Sequence, residues 1–184
     1  TITKTGAGTW TLSGSNTYTG ATTVQAGTLK LGATGDATNT PLGTSAGGIT
    51  VLSGAVFDVN GYTLGTTEAL TINGNGISNG GALTNTGGAA TYSGAITRGT
   101  ATMITNTGSG TLTISGAISG AAIPLTIGGT ANITISGVIG STTATLTKNG
   151  AGTLTLSAAN TYTGATTVNA GTLKYGIASA ISSG

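Results

Sequence analysis

Three carboxylates, Asp36, Asp58 and Glu68, are the only acidic side chains in this sequence, and it holds no His and no Cys. Without imidazole, nucleophilic catalysis of the Ser–His kind and His-based metal chemistry are excluded. Without thiols, so are disulfides and thiolate metal sites. Two carboxylates at the right separation can still hydrolyse a glycosidic bond. Asp36 and Asp58 lie 22 residues apart, one step of the repeat described below, which would bring them onto adjacent coils. Yet no aromatic sugar platform or basic partner accompanies them, and Gly35-Asp36 is a turn-type dipeptide. The preferred reading is two turn or solvent-facing aspartates. Gly35-Asp36 is also the sole hint of the Gly/Asp nonapeptides of calcium-binding rolls. No catalytic, cofactor or metal residue is assigned, and the chain reads as no enzyme.

The elements that would position such residues follow from composition. Only 4% of the 184 residues are charged, against about 25% in ordinary globular proteins. The 37% hydrophobic content and net charge of +2 argue against disorder. The five basic residues, Lys4, Lys30, Arg98, Lys148 and Lys174, are scattered, so there is no clustered surface for nucleic acid. No apolar run approaches the roughly 18–20 residues of a membrane helix. Abundant Thr and 35 Gly favour strands and turns. A cysteine-free chain also suits passage across membranes before folding. Thr1 begins inside a repeat, so a mature product or a segment of something longer is expected.

Two periods are nested. Lys4–Gly32 and Lys148–Gly176 match at 23 of 29 positions with an offset of 144, so residues 1–40 recur as 145–184. Within this superperiod an apolar–Ser/Asn–Gly triplet recurs at Leu12, Leu52, Ile72, Tyr92, Ile114 and Ile135, closing at Leu156-Ser157-Ala158. The spacing implies seven units of about 20 to 21 residues, a solenoid length. Each unit alternates with period two, so Leu112, Ile133 and Leu154, and Ile114, Ile135 and Leu156, should stack into aliphatic ladders with Thr outside. Thr50 and Ala90 break the upper ladder. The expectation is a single all-β solenoid over residues 1–184, a parallel β-helix of about nine coils.

The string G-A-G-T-x-T-L-S-x-x-N-T-Y-T-G-A-T-T-V-x-A-G-T-L, at residues 6–29 and 150–173, resembles the autotransporter-associated β-strand repeat, or passenger-associated transport repeat, of bacterial surface proteins. Residues 54–61 resemble the linking coils of the same proteins. The resemblance implies a right-handed parallel β-helix, exported and displayed on the bacterial surface, whose repeats support secretion and build a stalk. Its motif residues are Trp10, Leu12, Asn16, Tyr18, Gly20, Val24, Gly27 and Leu29 in the first copy. In the second they are Leu154, Leu156, Asn160, Tyr162, Gly164, Val168, Gly171 and Leu173.

Within the motif, Tyr18 and Tyr162 are expected to anchor a corner, with Asn16 and Asn160 bonding backbone inside the turn. Lys4/Lys148 and Lys30/Lys174 occupy equivalent positions. They could attract anionic sugars, but the preferred reading is ordinary solvation. Thr9-Trp10-Thr11, Thr111-Leu112-Thr113 and Thr153-Leu154-Thr155 would pair hydroxyls as ice-binding solenoids do, although Ala90-Thr91-Tyr92 and Asn132-Ile133-Thr134 interrupt the series. Neither end carries a cap, a charged edge or a blocking Pro, and open strand edges recruit strands. The functional expectation is an extracellular structural rod, stalk or fibre, with itself as partner through end-to-end stacking or tandem neighbours. The alternative is an adhesin passenger module binding surface glycan or ice.

Overall fold

A computed structural model describes residues 1–181 other than 45, 141 and 142. Short strands follow one another as β1 (Ile2–Lys4), β2 (Thr9–Leu12), β3 (Thr22–Val24), β4 (Thr28–Leu31), β5 (Ile49–Val51) and β6 (Val56–Asp58). Then come β7 (Leu70–Gly74), a 3-10 turn (Ile77–Asn79), β8 (Leu83–Asn85), β9 (Ala90–Tyr92), β10 (Ile96–Asn106), β11 (Leu112–Ile114) and β12 (Ile118–Ser119). The last are β13 (Leu125–Gly129), β14 (Ile133–Ile135), β15 (Leu146–Lys148), β16 (Thr153–Leu156), β17 (Thr166–Val168) and β18 (Thr172–Tyr175).

Every strand pairing is parallel, and the pairings define three faces of a β-solenoid of about 8 turns. The first face stacks β1, β3, β5, β7, the start of β10 and β12. The second stacks β2, β4, β6, β8, the end of β10, β13, β15 and β17. The third stacks β9, β11, β14, β16 and β18. Strand β10 serves two faces because its register breaks between Arg98 and Thr102. At about 4.8 Å per coil the rod is roughly 38 Å long.

Alternation places one set of side chains inside. Val24, Val51 and Ile72 line the first face, Leu29, Phe57, Leu83 and Ile104 the second, and Leu112, Ile133 and Leu154 the third, all buried. Tyr92 meets Phe57 edge-on at 6.1 Å between ring centroids, across the core. Ala90, a buried gap in the third-face ladder, lies next to it on the same strand.

The coil length is less constant than the sequence implies. Thr9 pairs with Thr28, but Thr28 pairs with Val56, and Thr22 with Ile49. The extra residues lie in the stretch 33–48. Consequently the expected single ladder is three: Leu12 lies on the second face, Ile72 on the first, Ile114 on the third. Leu52 is one residue out of frame and 39% exposed, because Val51 takes the inward place. Thr50 therefore leaves no gap. It stands outside, in a column of hydroxyls running Thr3, Thr23, Thr50, Thr71, Thr97, Ser119. The paired threonines also divide, Thr9 and Thr11 lying on a different face from Thr111 and Thr153.

The superperiod is not seven coils. From Ile2 the first face is revisited at Thr22, Ile49, Leu70, Ile96, Ile118 and Ile139, and Leu146 lies one face further on. The second copy of the motif is thus turned by one face about the rod axis relative to the first.

Candidate functional site

The two aspartates do not meet. Lys30, not Asp36, pairs in register with Asp58, while the Asp36 carbonyl packs on the Cα of Gly65. Asp36 is exposed, and its Oδ1 accepts the N–H groups of Asn39 at 2.6 Å and Thr38 at 2.8 Å. Those donors hold its carboxyl below the ordinary aspartate range, since they favour the charged form. Asp58 is buried rather than solvent-facing. It accepts the N–H of Asn60 and of Thr86 and the Thr86 hydroxyl at 2.6 Å, and lies 3.5 Å from the Lys30 ammonium. Asp36 closes its own turn, whereas Asp58 ties the turn after β6 to the coil that carries Thr86.

Glu68 is buried at the corner between the third and first faces, where Thr66 donates to its Oε1 at 3.0 Å. Burial pushes its carboxyl above the ordinary glutamate range. The Tyr92 hydroxyl donates to the Glu68 carbonyl at 2.6 Å, and burial, followed by the Glu68 charge, pushes that phenol up. A carboxyl raised on folding contributes stability below its unfolded pKa and loses it as pH rises through the folded one. Glu68→Gln should therefore raise the melting temperature near pH 7 and change it little near pH 3. Equal shifts at both pH values would contradict this.

Of the four motif lysines, Lys4 and Lys148 are not solvated. Lys4 is 1% exposed, and its ammonium donates to the carbonyls of Gly6 at 2.7 Å, Thr5 at 2.9 Å and Ala26 at 3.0 Å. Lys148 repeats the arrangement with Gly150 at 2.6 Å, Asn149 at 3.0 Å and Ala170 at 3.2 Å. Two of the carbonyls belong to the corner that follows the lysine and the third to the coil above. Arg98 does likewise, donating to the carbonyls of Ser119, Gly120 and Ile123 in the next coil. Lys30 and Lys174 are at the surface, Lys30 partnered with Asp58 and Thr86.

The motif asparagines join coils instead of closing their own turn. Asn160 Oδ1 accepts the Ile139 N–H at 2.7 Å from the coil below, and its Nδ2 donates to the Ala180 carbonyl above. Asn16 Nδ2 donates to the Pro41 carbonyl at 2.8 Å. Tyr18 and Tyr162 bond the hydroxyls of Thr22 and Thr166 at 2.9 and 2.8 Å, with burial pushing both phenols up.

The remaining motif residues show one pattern. Leu154, Leu156, Leu29 and Val24 are fully buried, whereas Trp10 is 46% and Val168 45% exposed, with Leu12 and Leu173 half-buried. Each exposed residue is the repeat equivalent of a covered one, or pairs with it. Leu154→Ala should accordingly cost about 2–3 kcal/mol and Trp10→Ala under about 1 kcal/mol, as read by chemical denaturation. Gly20 packs on Thr1 and Gly164 on Ala144, while Gly27 and Gly171 take φ of +70 and +71 against the carbonyls of the coil beneath.

Two polar residues escaped the sequence reading. Asn85 and Asn106 are fully buried, and Asn85 Nδ2 donates to Asn106 Oδ1 at 3.1 Å. Their signal was present: apolar-Thr-Asn-Thr-Gly recurs at Leu83 and Ile104, one coil apart. Among the described residues no group of three metal-ligating side chains occurs. No helix among the described residues is long and apolar enough to cross a membrane. A shallow hollow of about 350 Å³, lined by Ser109, Gly110, Thr111, Thr130, Ala131 and Asn132, offers hydroxyls and amides but no carboxylate.

A family profile described as the passenger-associated-transport-repeat matches residues 2–31 and 146–174, the segments that carry the buried lysines and the Asn-Thr-Tyr corners. These two segments are similar to the passenger-associated transport repeat. In structural terms each repeat is one lysine-capped corner, one inter-coil asparagine and four strands on two adjacent faces. Such repeats belong to autotransporter passenger proteins of the bacterial surface. Comparison with curated proteins and with solved structures finds no match for the chain.

Proposed function

We propose that this passenger-type solenoid is a structural rod, stalk or fibre on the outside of a bacterium, lengthened by tandem repeats or by end-to-end stacking of copies. The observation that supports this is where the reactive groups go. Lys4, Lys148, Arg98 and Asp58 bond across coils and Asp36 closes its own turn, so the chain's scarce charge serves the rod and not a substrate. Electron microscopy of the purified chain tests the proposal. Rods or fibres a few nanometres wide are expected; compact globular particles, or glycan hydrolysis lost in Asp58→Asn, would overturn it.

A second reading, an adhesive face, has one observation of its own. The hydroxyl column from Thr3 to Ser119 follows strand register for six coils, and a second column runs Thr91, Thr113, Thr134, Thr155. Retention of the chain on ice or polysaccharide, weakened by Thr71→Lys, would favour this reading.

A further inference from the structure

Asn-Gly, the dipeptide whose side-chain amide is most readily lost in water, occurs five times, at Asn60, Asn73, Asn75, Asn79 and Asn149. The reaction needs the following backbone nitrogen to reach the asparagine Cγ. Glycine leaves that path unhindered because it has no side chain. Hydrogen bonds oppose the reaction by holding the nitrogen that must attack or the amide that must leave. At four of the five sites the fold supplies such restraint. The Gly61 N–H donates to Asn85 Oδ1 at 2.7 Å, while Asn60 Nδ2 donates to the Leu31 carbonyl at 2.9 Å. The Gly74 N–H donates to Thr100 Oγ1 at 2.8 Å, and Asn73 Nδ2 to the Val51 carbonyl at 3.0 Å. The Gly80 N–H donates to the Ile77 carbonyl at 2.8 Å. At Asn149 the Lys148 ammonium fixes the carbonyls of Asn149 and Gly150, and Asn149 Oδ1 accepts from Asn169 Nδ2 at 2.8 Å.

Asn75 is the exception. It is exposed, in the turn that leads from β7 to β8. Among the described residues its Nδ2 meets one acceptor, Asn79 Oδ1 at 3.4 Å, and the Gly76 N–H meets none. We propose that Asn75 is a site of spontaneous deamidation, and that the other four Asn-Gly pairs are protected by the bonds just described. The Gly76 nitrogen attacks Asn75 Cγ. The N–Cγ bond forms, the Cγ–Nδ2 bond breaks, and Nδ2 leaves as ammonia with the proton that the attacking nitrogen gives up. Water then opens the cyclic imide. Opening at Cγ gives aspartate, and opening at the backbone carbonyl gives isoaspartate, whose chain runs through Cβ. Either product places a carboxylate beside Ile77, which is 43% exposed, and adds a negative charge to a chain of net charge +2. Isoaspartate also lengthens the backbone at the residue whose carbonyl accepts the Gly81 N–H at 2.8 Å and closes the turn.

Incubation of the intact chain in mildly alkaline buffer, followed by peptide mapping with mass spectrometry, reads the exchange of amide for acid at each site. Asn75 should react at least about ten-fold faster than any of the other four, since protected sites react only during local opening. In denaturant the five rates should converge to within about three-fold. Thr100→Val deletes the acceptor of the Gly74 N–H at an exposed position. It should raise the rate at Asn73 several-fold and leave Asn75 unchanged. Asn75→Gln should remove the fast phase, because glutamine closes its ring far more slowly. Comparable native rates at all five sites, or a faster site elsewhere, overturn the assignment of Asn75. A rate at Asn73 unmoved by Thr100→Val overturns hydrogen bonding as the source of protection.

Discussion

Gly150→Ala is expected to destabilise the solenoid by about 3–5 kcal/mol, whereas Gly6→Ala, the same position in the other copy, should cost only about 1 kcal/mol. Both glycines have left-handed backbone, φ +81 and +72, so the strain of adding a side chain is shared. They differ in what a methyl group would meet. At Gly150 it would lie 2.4 Å from the Gly129 carbonyl oxygen and 2.8 Å from its nitrogen, whereas at Gly6 nothing lies within 4 Å. The obstacle is backbone on a neighbouring coil, held by parallel pairing on both sides, and cannot rotate away as a side chain would. Relief requires parting two coils. In a solenoid each coil contacts only its neighbours, so the break at Gly150 should release the coils from β15 onward. Hydrogen exchange checks this: faster exchange confined to residues beyond about Ala144 in Gly150→Ala, and a near-native pattern in Gly6→Ala. Equal losses in the two variants would mean that φ strain alone sets the cost.

Gly6 and Gly150 also show why part of the fold was legible and part was not. The 144-residue repeat is explicit in sequence, and so is the third-face ladder, because pairing steps of 21 residues carry Leu112 to Ile133 to Leu154. Register in the first coils was not legible, because the residues inserted at 33–48 leave no trace in alternation. The strand after them resumes at Ile49, one residue out of phase with the Leu52-Ser53-Gly54 triplet. A one-residue slip exchanges inside for outside, which is why Leu52 reads as core and is exposed. The lysines were illegible for a different reason. An ammonium is normally a surface group, and only the three-dimensional corner reveals three carbonyls converging on one point. In retrospect the signal is the Gly-Ala-Gly two residues after Lys4 and Lys148 in both copies: a lysine immediately before a glycine corner of the coil. Glu68 had no such marker, since its burial follows from the Thr66 and Tyr92 geometry alone.

That corner lysine supports the second large effect. Lys148→Met keeps the aliphatic stem and deletes the ammonium, so packing is nearly conserved while the carbonyls of Asn149, Gly150 and Ala170 lose their donor. Hydrogen bonds to charged groups contribute about 1.5–3 kcal/mol each, and stranded acceptors are costly where water cannot replace the donor. Against this, Met is freed from the desolvation that pulls the Lys148 ammonium below the ordinary lysine range. The net expectation is a loss of about 3–4 kcal/mol, or roughly 6–16 °C in melting temperature. Lys174→Met removes an exposed lysine and should move the midpoint by under about 0.5 kcal/mol. Lys4→Met removes the same three bonds from the first coil, where release of one coil limits the damage, so its loss should appear as local exchange around β1 more than as a global shift. Should Lys148→Met melt like the parent, the carbonyl ring would be satisfied by water, and the lysine would be a passenger of the corner and not what closes it.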